Sequence, residues 1–312
     1  MLGASGTIGQ ATAAALAARG HTVVCPLRPK AARPRLPETA VMREAEVTDP
    51  RSLRDRAIQG ERFDALVSCL ASRSGLPSDA WAVDHRATVD ALEVAAEAGA
   101  RRVVLLSAIC VQRPMLAFQR AKLAAEAAVI ASGLDYAIVR PTAFFKSLSG
   151  QVARVQSGKA FLAFGDGRLT ACKPISDRDL GLYLAQYLAD PGNRILPIGG
   201  PGPAITPLDQ AAMLSRLLGR EIPVRRVPVA LLDGIVAMLS LGGRLVPRLA
   251  AKAELARIGR YYATQSMLWL NAETGLYDAE ATPETGSDRL EDHYRRLIAG
   301  EVETDLGAHA VF

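Results

Sequence analysis

Residues 2–9 read LGASGTIG, with Gly3, Gly6 and Gly9 three residues apart. That spacing lets a backbone turn tightly and approach a pyrophosphate. It also lets a helix start close against a strand, with its free N–H groups and partial positive charge facing the phosphates. Ser5, Thr7 and Ile8 lie in the same turn and are grouped with the glycines as candidate dinucleotide-binding residues. A glycine triplet alone is a weak signal, so its flanks decide the matter. From Thr7 the run TIGQATAAALAARG is rich in alanine and leucine and ends on Arg19 and Gly20, a last-turn cation and a C-cap. Residues 21–25 (HTVVC) then read as a short buried strand. Glycine turn, helix and strand together open a Rossmann unit. Only Met1 and Leu2 stand where a first strand of about five residues is expected, so that strand is a stub or the recorded start is too late.

The next segment bears on the choice of cofactor. Where binders of NAD place an acidic residue for the ribose hydroxyls, this chain has CPLRPK, with Arg28 and Lys30 and no carboxylate before Glu38. Two cations suit the 2′-phosphate of NADPH, with Arg28 as the candidate ligand.

Composition sets the outer bounds. The chain has 312 residues, 49% of them hydrophobic and 22% charged, enough for one nucleotide-binding domain and a smaller appended region. The net charge of +5 is modest, and the basic residues are scattered without aromatic interleaving, which argues against a nucleic-acid partner. Cys25, Cys69, Cys110 and Cys172 lie far apart, with no CxxC and no histidine at ligand spacing. Neither a metal nor an iron–sulfur cluster is therefore expected, and reduced thiols in a cytoplasmic protein are the simplest reading. No signal peptide is visible. Residues 228–247 are mostly apolar, but Asp233, Arg244 and the pair Gly242-Gly243 interrupt them. The uninterrupted part is too short to span about 30 Å of hydrocarbon. A helix packed at a domain edge or substrate mouth is expected there, with a helix lying in a membrane interface as the alternative.

Strand and helix signals alternate as far as residue 140, the pattern of a doubly wound parallel α/β sheet. Asp49 precedes Pro50 at a helix start, where it caps the helix or sits beside the adenine. Residues 64–70 form a buried strand whose exit, Leu70, Ala71 and Ser72, lies where a central strand faces a cofactor. A long helix is expected over 78–98, a strand over 102–107, a helix over 115–132, and a strand over 135–139 leading into Pro141 and Thr142. After that the rhythm changes. Residues 144–157 read as one helix, 161–164 as a short strand, and Asp177 as the start of a helix with acidic residues in its first turn. The expected division is a Rossmann domain over 1–143, to which parts of 161–198 can return, and a substrate-capping region over 144–312.

The glycine motif, Ser107 after a central strand, Lys122 on the following helix and RPT after the next strand together resemble the extended and atypical short-chain dehydrogenase/reductases. Longer strings narrow this further. SCLASR, LLSAICVQRP, AFQRAKLAAE, IVRPTAFFKSLSGQV and FGDGRLTACKPISDRDL are similar to the divinyl chlorophyllide 8-vinyl reductase family. The resemblance implies NADPH as hydride donor and a tetrapyrrole as substrate, whose 8-vinyl group becomes ethyl. It further implies Lys122 and Ser107 as catalytic candidates, with Lys122, Pro141 and Thr142 also against the cofactor. One departure matters. Typical members of the wider group carry a tyrosine four residues before the lysine, and here that position is Phe118, which has no proton to give. The loss disfavours ketone reduction and agrees with reduction of a carbon–carbon double bond.

Phe144, Phe145 and Lys146 offer either a flat wall and a cation for a macrocycle bearing a propionate, or two core aromatics. Lys173 and Arg178 carry the same ambiguity. His21, His85, His293 and His309 show no catalytic spacing and read as surface or loop residues. Two other functions stay open on sequence alone: an NADPH-sensing regulator on the same fold, and a reductase of a smaller aromatic alkene or imine.

Overall fold

The computed structural model describes residues 1–302 apart from Ala31 and Gly75. Its eight principal strands are β1 (Val24–Leu27), β2 (Val41–Glu44), β3 (Ala65–Ser68), β4 (Arg102–Leu106), β5 (Asp135–Pro141), β6 (Phe161–Phe164), β7 (Arg194–Ile198) and β8 (Val224–Val227). The longer helices are α1 (Thr7–Ala18), α2 (Ala87–Glu97), α3 (Ala117–Ala131), α4 (Asp177–Gln186), α5 (Pro207–Leu218), α6 (Val229–Gly243), α7 (Pro247–Thr264) and α8 (Leu290–Ile298). The chain falls into two units. The first holds Met1–Arg73, Pro77–Pro141 and Asp177–Pro197; the second holds Ser74, Leu76, Thr142–Ser176 and the described residues from Ile198 onward.

In the first unit β1 and β2 pair in parallel, as do β3 with β4 and β4 with β5, and β7 lies beside β5. Met1 and Leu2 bridge the two sets. The Met1 amino group donates to Val24 O at 2.6 Å, Leu2 N donates to Val67 O at 2.8 Å, and Cys69 N donates to Leu2 O at 3.0 Å. Met1 and Leu2 thus lie between β1 and β3, at the point where strand order reverses, which is where an open α/β sheet binds its ligand. An apolar hollow lined by Leu2, Val24, Phe63 and Leu66 runs beside it. β4 is buried along its whole length, as a strand covered by helices on both faces must be, and Val103, Val129 and Ile138 are sealed from solvent.

Three elements differ from the sequence reading. The strand expected over 21–25 lies at Val24–Leu27, because its ladder with β2 begins at Val24 opposite Val41. The helix expected over 78–98 is continuous but carries a π-helical stretch at Ala80–Arg86. The helix expected over 144–157 is broken into Phe145–Leu148, a 3-10 turn at Ser149–Gln151, and Val152–Gln156. There Ser149 Oγ donates to Phe145 O at 2.8 Å, next to Gly150, a local bond that competes with regular helix.

The chain returns to the first unit through α4, which lies against α1. Gly181 makes this contact possible, since a Cβ there would be 2.7 Å from the backbone of Ala11. In the second unit β6 pairs in parallel with β8, and Phe145, Val155, Phe161, Leu214 and Tyr294 form its core.

Candidate active site

Two positions of the phosphate loop admit nothing larger than glycine. Gly3 has φ +76°, and a Cβ on it would lie 2.4 Å from Cys69 O; on Gly9 it would lie 2.0 Å from Gly3 O. Gly6 N donates to Gly3 O at 3.0 Å and closes the turn. Gly6 then caps α1 with no side-chain acceptor, so the helix N-terminus is offered to an outside anion. Ile8 is buried and Ser5 and Thr7 are half-buried, so Ile8 can reach a ligand through its amide alone. A pyrophosphate fits this cradle.

Arg28 is exposed one residue beyond β1 and makes no ion pair among the described residues. Asp49 caps the helix at Pro50–Ser52, its Oδ1 accepting from Arg51 N at 3.0 Å. Leu70 and Ser72 are half-buried at the exit of β3, and Ala71 is exposed.

Next to that exit the structure gathers Leu70, Asp84, Thr88, Ser107 and Lys122 around a small cleft. Lys122 Nζ lies 2.9 Å from Asp84 Oδ1, an ion pair by distance without the alignment of a hydrogen bond. The Asp84 side chain is only 1% exposed. Its Oδ2 accepts from Ser72 N at 3.3 Å, tying the β3 exit to the lysine. Phe118 is half-buried one turn before Lys122 on α3, and offers no proton.

Ser107 is buried and its hydroxyl donates to Glu126. Glu126, also buried, is held by Arg140, whose Nε is 3.0 Å from Oε1 and whose Nη2 meets Oε2. This brace joins β4, α3 and β5, so the hydroxyl proton of Ser107 is directed at Glu126 rather than at a substrate. Ser107 lines the cleft as a fixed oxygen.

Sequence reading missed Asp84, Glu126 and Arg140. A signal was present for the two acids. Asp84 shares a helical stripe with Thr88 and Ala91, and Glu126 shares one with Lys122 and Val129, so each carboxylate falls on the apolar side of its helix.

Pro141 closes β5, and the buried Thr142 opens the second unit. The Thr142 hydroxyl donates to Lys173 O and its N–H to Ile198 O at 2.9 Å. Phe145 is corrected from pigment wall to core: it is 2% exposed and packs with Val152, Phe161 and Tyr294. Phe144 and Lys146 are half-buried. Lys173 is a structural brace, its Nζ donating to Thr282 O at 3.2 Å and lying 3.4 Å from Glu284. Arg178 is exposed beside Asp179. Two histidines also depart from the surface reading. His85 sits edge-on to Trp81 within the π-helical stretch, and His293, on α8, lies against Phe145 with Nε2 3.1 Å from Ser149 Oγ. His309 lies outside the described residues. All four cysteines are free; burial pushes Cys69 up to about 11 and Cys172 up to about 12.

A glycine cradle at the switch point of a parallel sheet, beside a cleft holding a paired lysine, defines an NAD(P)H-binding oxidoreductase of the Rossmann class. Residues 3–191 match the family model for NAD(P)H binding. A solved quinone oxidoreductase of Escherichia coli in complex with NADPH shares the fold, with TM-score 0.65 and 17% identity over 95% of this chain and 98% of that one. The divinyl chlorophyllide a 8-vinyl-reductase of Oryza sativa subsp. indica is 45% identical over 99% of this chain and 81% of its own length. The enzyme of the same description from Zea mays is 46% identical over 99% of this chain and 82% of its own. The chain belongs to the divinyl chlorophyllide a 8-vinyl-reductase family.

Proposed function

We propose that this protein reduces the 8-vinyl group of a divinyl chlorophyllide or protochlorophyllide to ethyl, with NADPH as donor. The observation that carries the reading is identity of 45% with a reductase of that name, running over 99% of the chain. Phe118 supports it independently, since a site without the phenol suits a carbon–carbon double bond better than a carbonyl. When bound, NADPH supplies a hydride to one vinyl carbon, and a proton must reach the other.

In this reading the loop over 3–9 holds the pyrophosphate and Arg28 the 2′-phosphate. Asp49 stands at the adenine end, and Leu70, Ala71 and Ser72 lie along the cofactor. Asp84 fixes the side chain of Lys122, which lines the cleft and holds the nicotinamide ribose hydroxyls. Ser107 presents its oxygen, steadied by Glu126 and Arg140. Pro141 and Thr142 set backbone groups against the carboxamide. For the pigment, Phe144 is the candidate apolar contact and Lys146 the candidate cation for a propionate. Four free thiols suit a reducing compartment, the cytoplasm, as its place of work.

The test is incubation of purified protein with NADPH and divinyl chlorophyllide while the Soret band is followed. A shift to the monovinyl spectrum is expected. Unchanged pigment at saturating cofactor overturns the reading and leaves an NADPH-binding regulator in its place.

A further inference from the structure

Helix α6 turns several large apolar side chains to solvent. Leu231, Met238 and Leu241 are 55%, 66% and 65% exposed, and Leu245, just beyond the helix, is 87% exposed. Steps of seven and three residues put Leu231, Met238 and Leu241 in one stripe, and Leu245 follows at the bend beyond the helix. Among the residues of α6 only Leu232 is buried. A different side of α6 is held on α7: Arg260 pairs with Asp233, and Arg257 Nη2 donates to Ser240 Oγ at 2.8 Å. The stripe is therefore left over after the hairpin has formed.

Charge tells what covers it. Between Gly234 and Ala253 the only charged residues are Arg244, Arg248 and Lys252, and all three are exposed around the Leu245 bend. An apolar stripe ending in cations with no carboxylate among them is complementary to hydrocarbon edged by phosphates. No helix among the described residues is long and apolar enough to cross a membrane, so the contact is along the surface.

We propose that the hairpin over 229–252 docks on a bilayer containing anionic lipid, with Leu231, Met238, Leu241 and Leu245 in the acyl boundary and Arg244, Arg248 and Lys252 against lipid phosphates. The surface binds lipid whether or not the chain reduces a vinyl group, so the two readings fail separately.

The test is sedimentation of the full chain with phosphatidylcholine vesicles and with vesicles that also contain phosphatidylglycerol, alongside light scattering in solution. Binding to the anionic vesicles is expected, weakening as salt is raised. Replacing Arg244, Arg248 and Lys252 by Gln should weaken it by about fivefold per cation removed. Met238→Glu with Leu245→Glu should abolish it while leaving the circular dichroism melt and the reductase assay unchanged, because both side chains are already in water. Failure to sediment with anionic vesicles overturns the proposal, as does binding by either variant equal to that of the unaltered chain. A stable dimer that Met238→Glu with Leu245→Glu dissociates overturns it in favour of a second copy.

Discussion

Of the three glycines of the phosphate loop Gly9 has the least room, with Gly3 O only 2.0 Å from where its Cβ would stand. Gly9→Ala must displace the loop. Losing one charge-assisted bond to the pyrophosphate costs about 1.5–3 kcal/mol, so the NADPH dissociation constant should rise about tenfold or more, read by calorimetric titration. A value near that of the unaltered chain would mean the dinucleotide binds elsewhere. For Arg28→Ala a similar rise is expected in the Michaelis constant for NADPH, with NADH little changed, since only NADPH carries the 2′-phosphate. Equal effects on both would discard Arg28 as the selector. Lys122→Ala should remove most turnover. Asp84→Asn keeps the shape of Asp84 but not its charge, so kcat should fall about tenfold, and the double variant should be no worse than Lys122→Ala alone. Additive losses would separate the two residues. The cradle and the lysine were readable in the sequence because glycine spacing and helix position are local facts. Asp84 was not, because its role depends on a lysine that only the packing of two helices brings to 2.9 Å.

At the scale of elements, α5 shows a start signal that is fully local. Thr206 and Asp209 form a capping box: the Asp209 carboxylate accepts from Thr206 N at 2.8 Å and from its hydroxyl at 2.6 Å. Burial pulls the Asp209 carboxyl up, but the bonds from Thr206 outweigh it and hold the group below the usual carboxylate range. A depressed folded value means that this contribution is present above the unfolded value and is lost as pH falls through the folded one. Thr206→Ala should therefore cost about 1 kcal/mol in urea unfolding at neutral pH, with part of that difference vanishing in acid. A pH-independent difference would deny the carboxylate its part. Gly181 belongs to the opposite kind of contact. Gly181→Ala puts a methyl 2.7 Å from the backbone of Ala11, and the overpacking between α4 and α1 should cost about 1–3 kcal/mol in the same measurement. That α4 lies on α1 was hidden in the sequence, since its glycine reads there as a poor helix former.

For the whole molecule, ligand linkage gives the broadest check. NADPH at about a hundred times its dissociation constant should stabilise the chain by about 2.7 kcal/mol, seen as a rise in the melting temperature that NADH matches poorly. No shift with either nucleotide would remove the cofactor. What the sequence by itself determined is whatever a few neighbouring residues can specify. Positive φ and close approach demand Gly3 and Gly9, apolar runs bounded by turns give the parallel strands, and the α3 spacing sets Phe118 one turn before Lys122. Tertiary structure alone decided what long-range packing specifies. Strand order put Met1 and Leu2 between β1 and β3, and the return of Asp177–Pro197 completed the first unit. Burial took Phe145 into a core, spent the Ser107 proton on Glu126, and left the stripe of α6 in solvent. The reason is physical: a side chain's type and period fix which face of its element it occupies, whereas what lies across that face depends on segments far away in the chain.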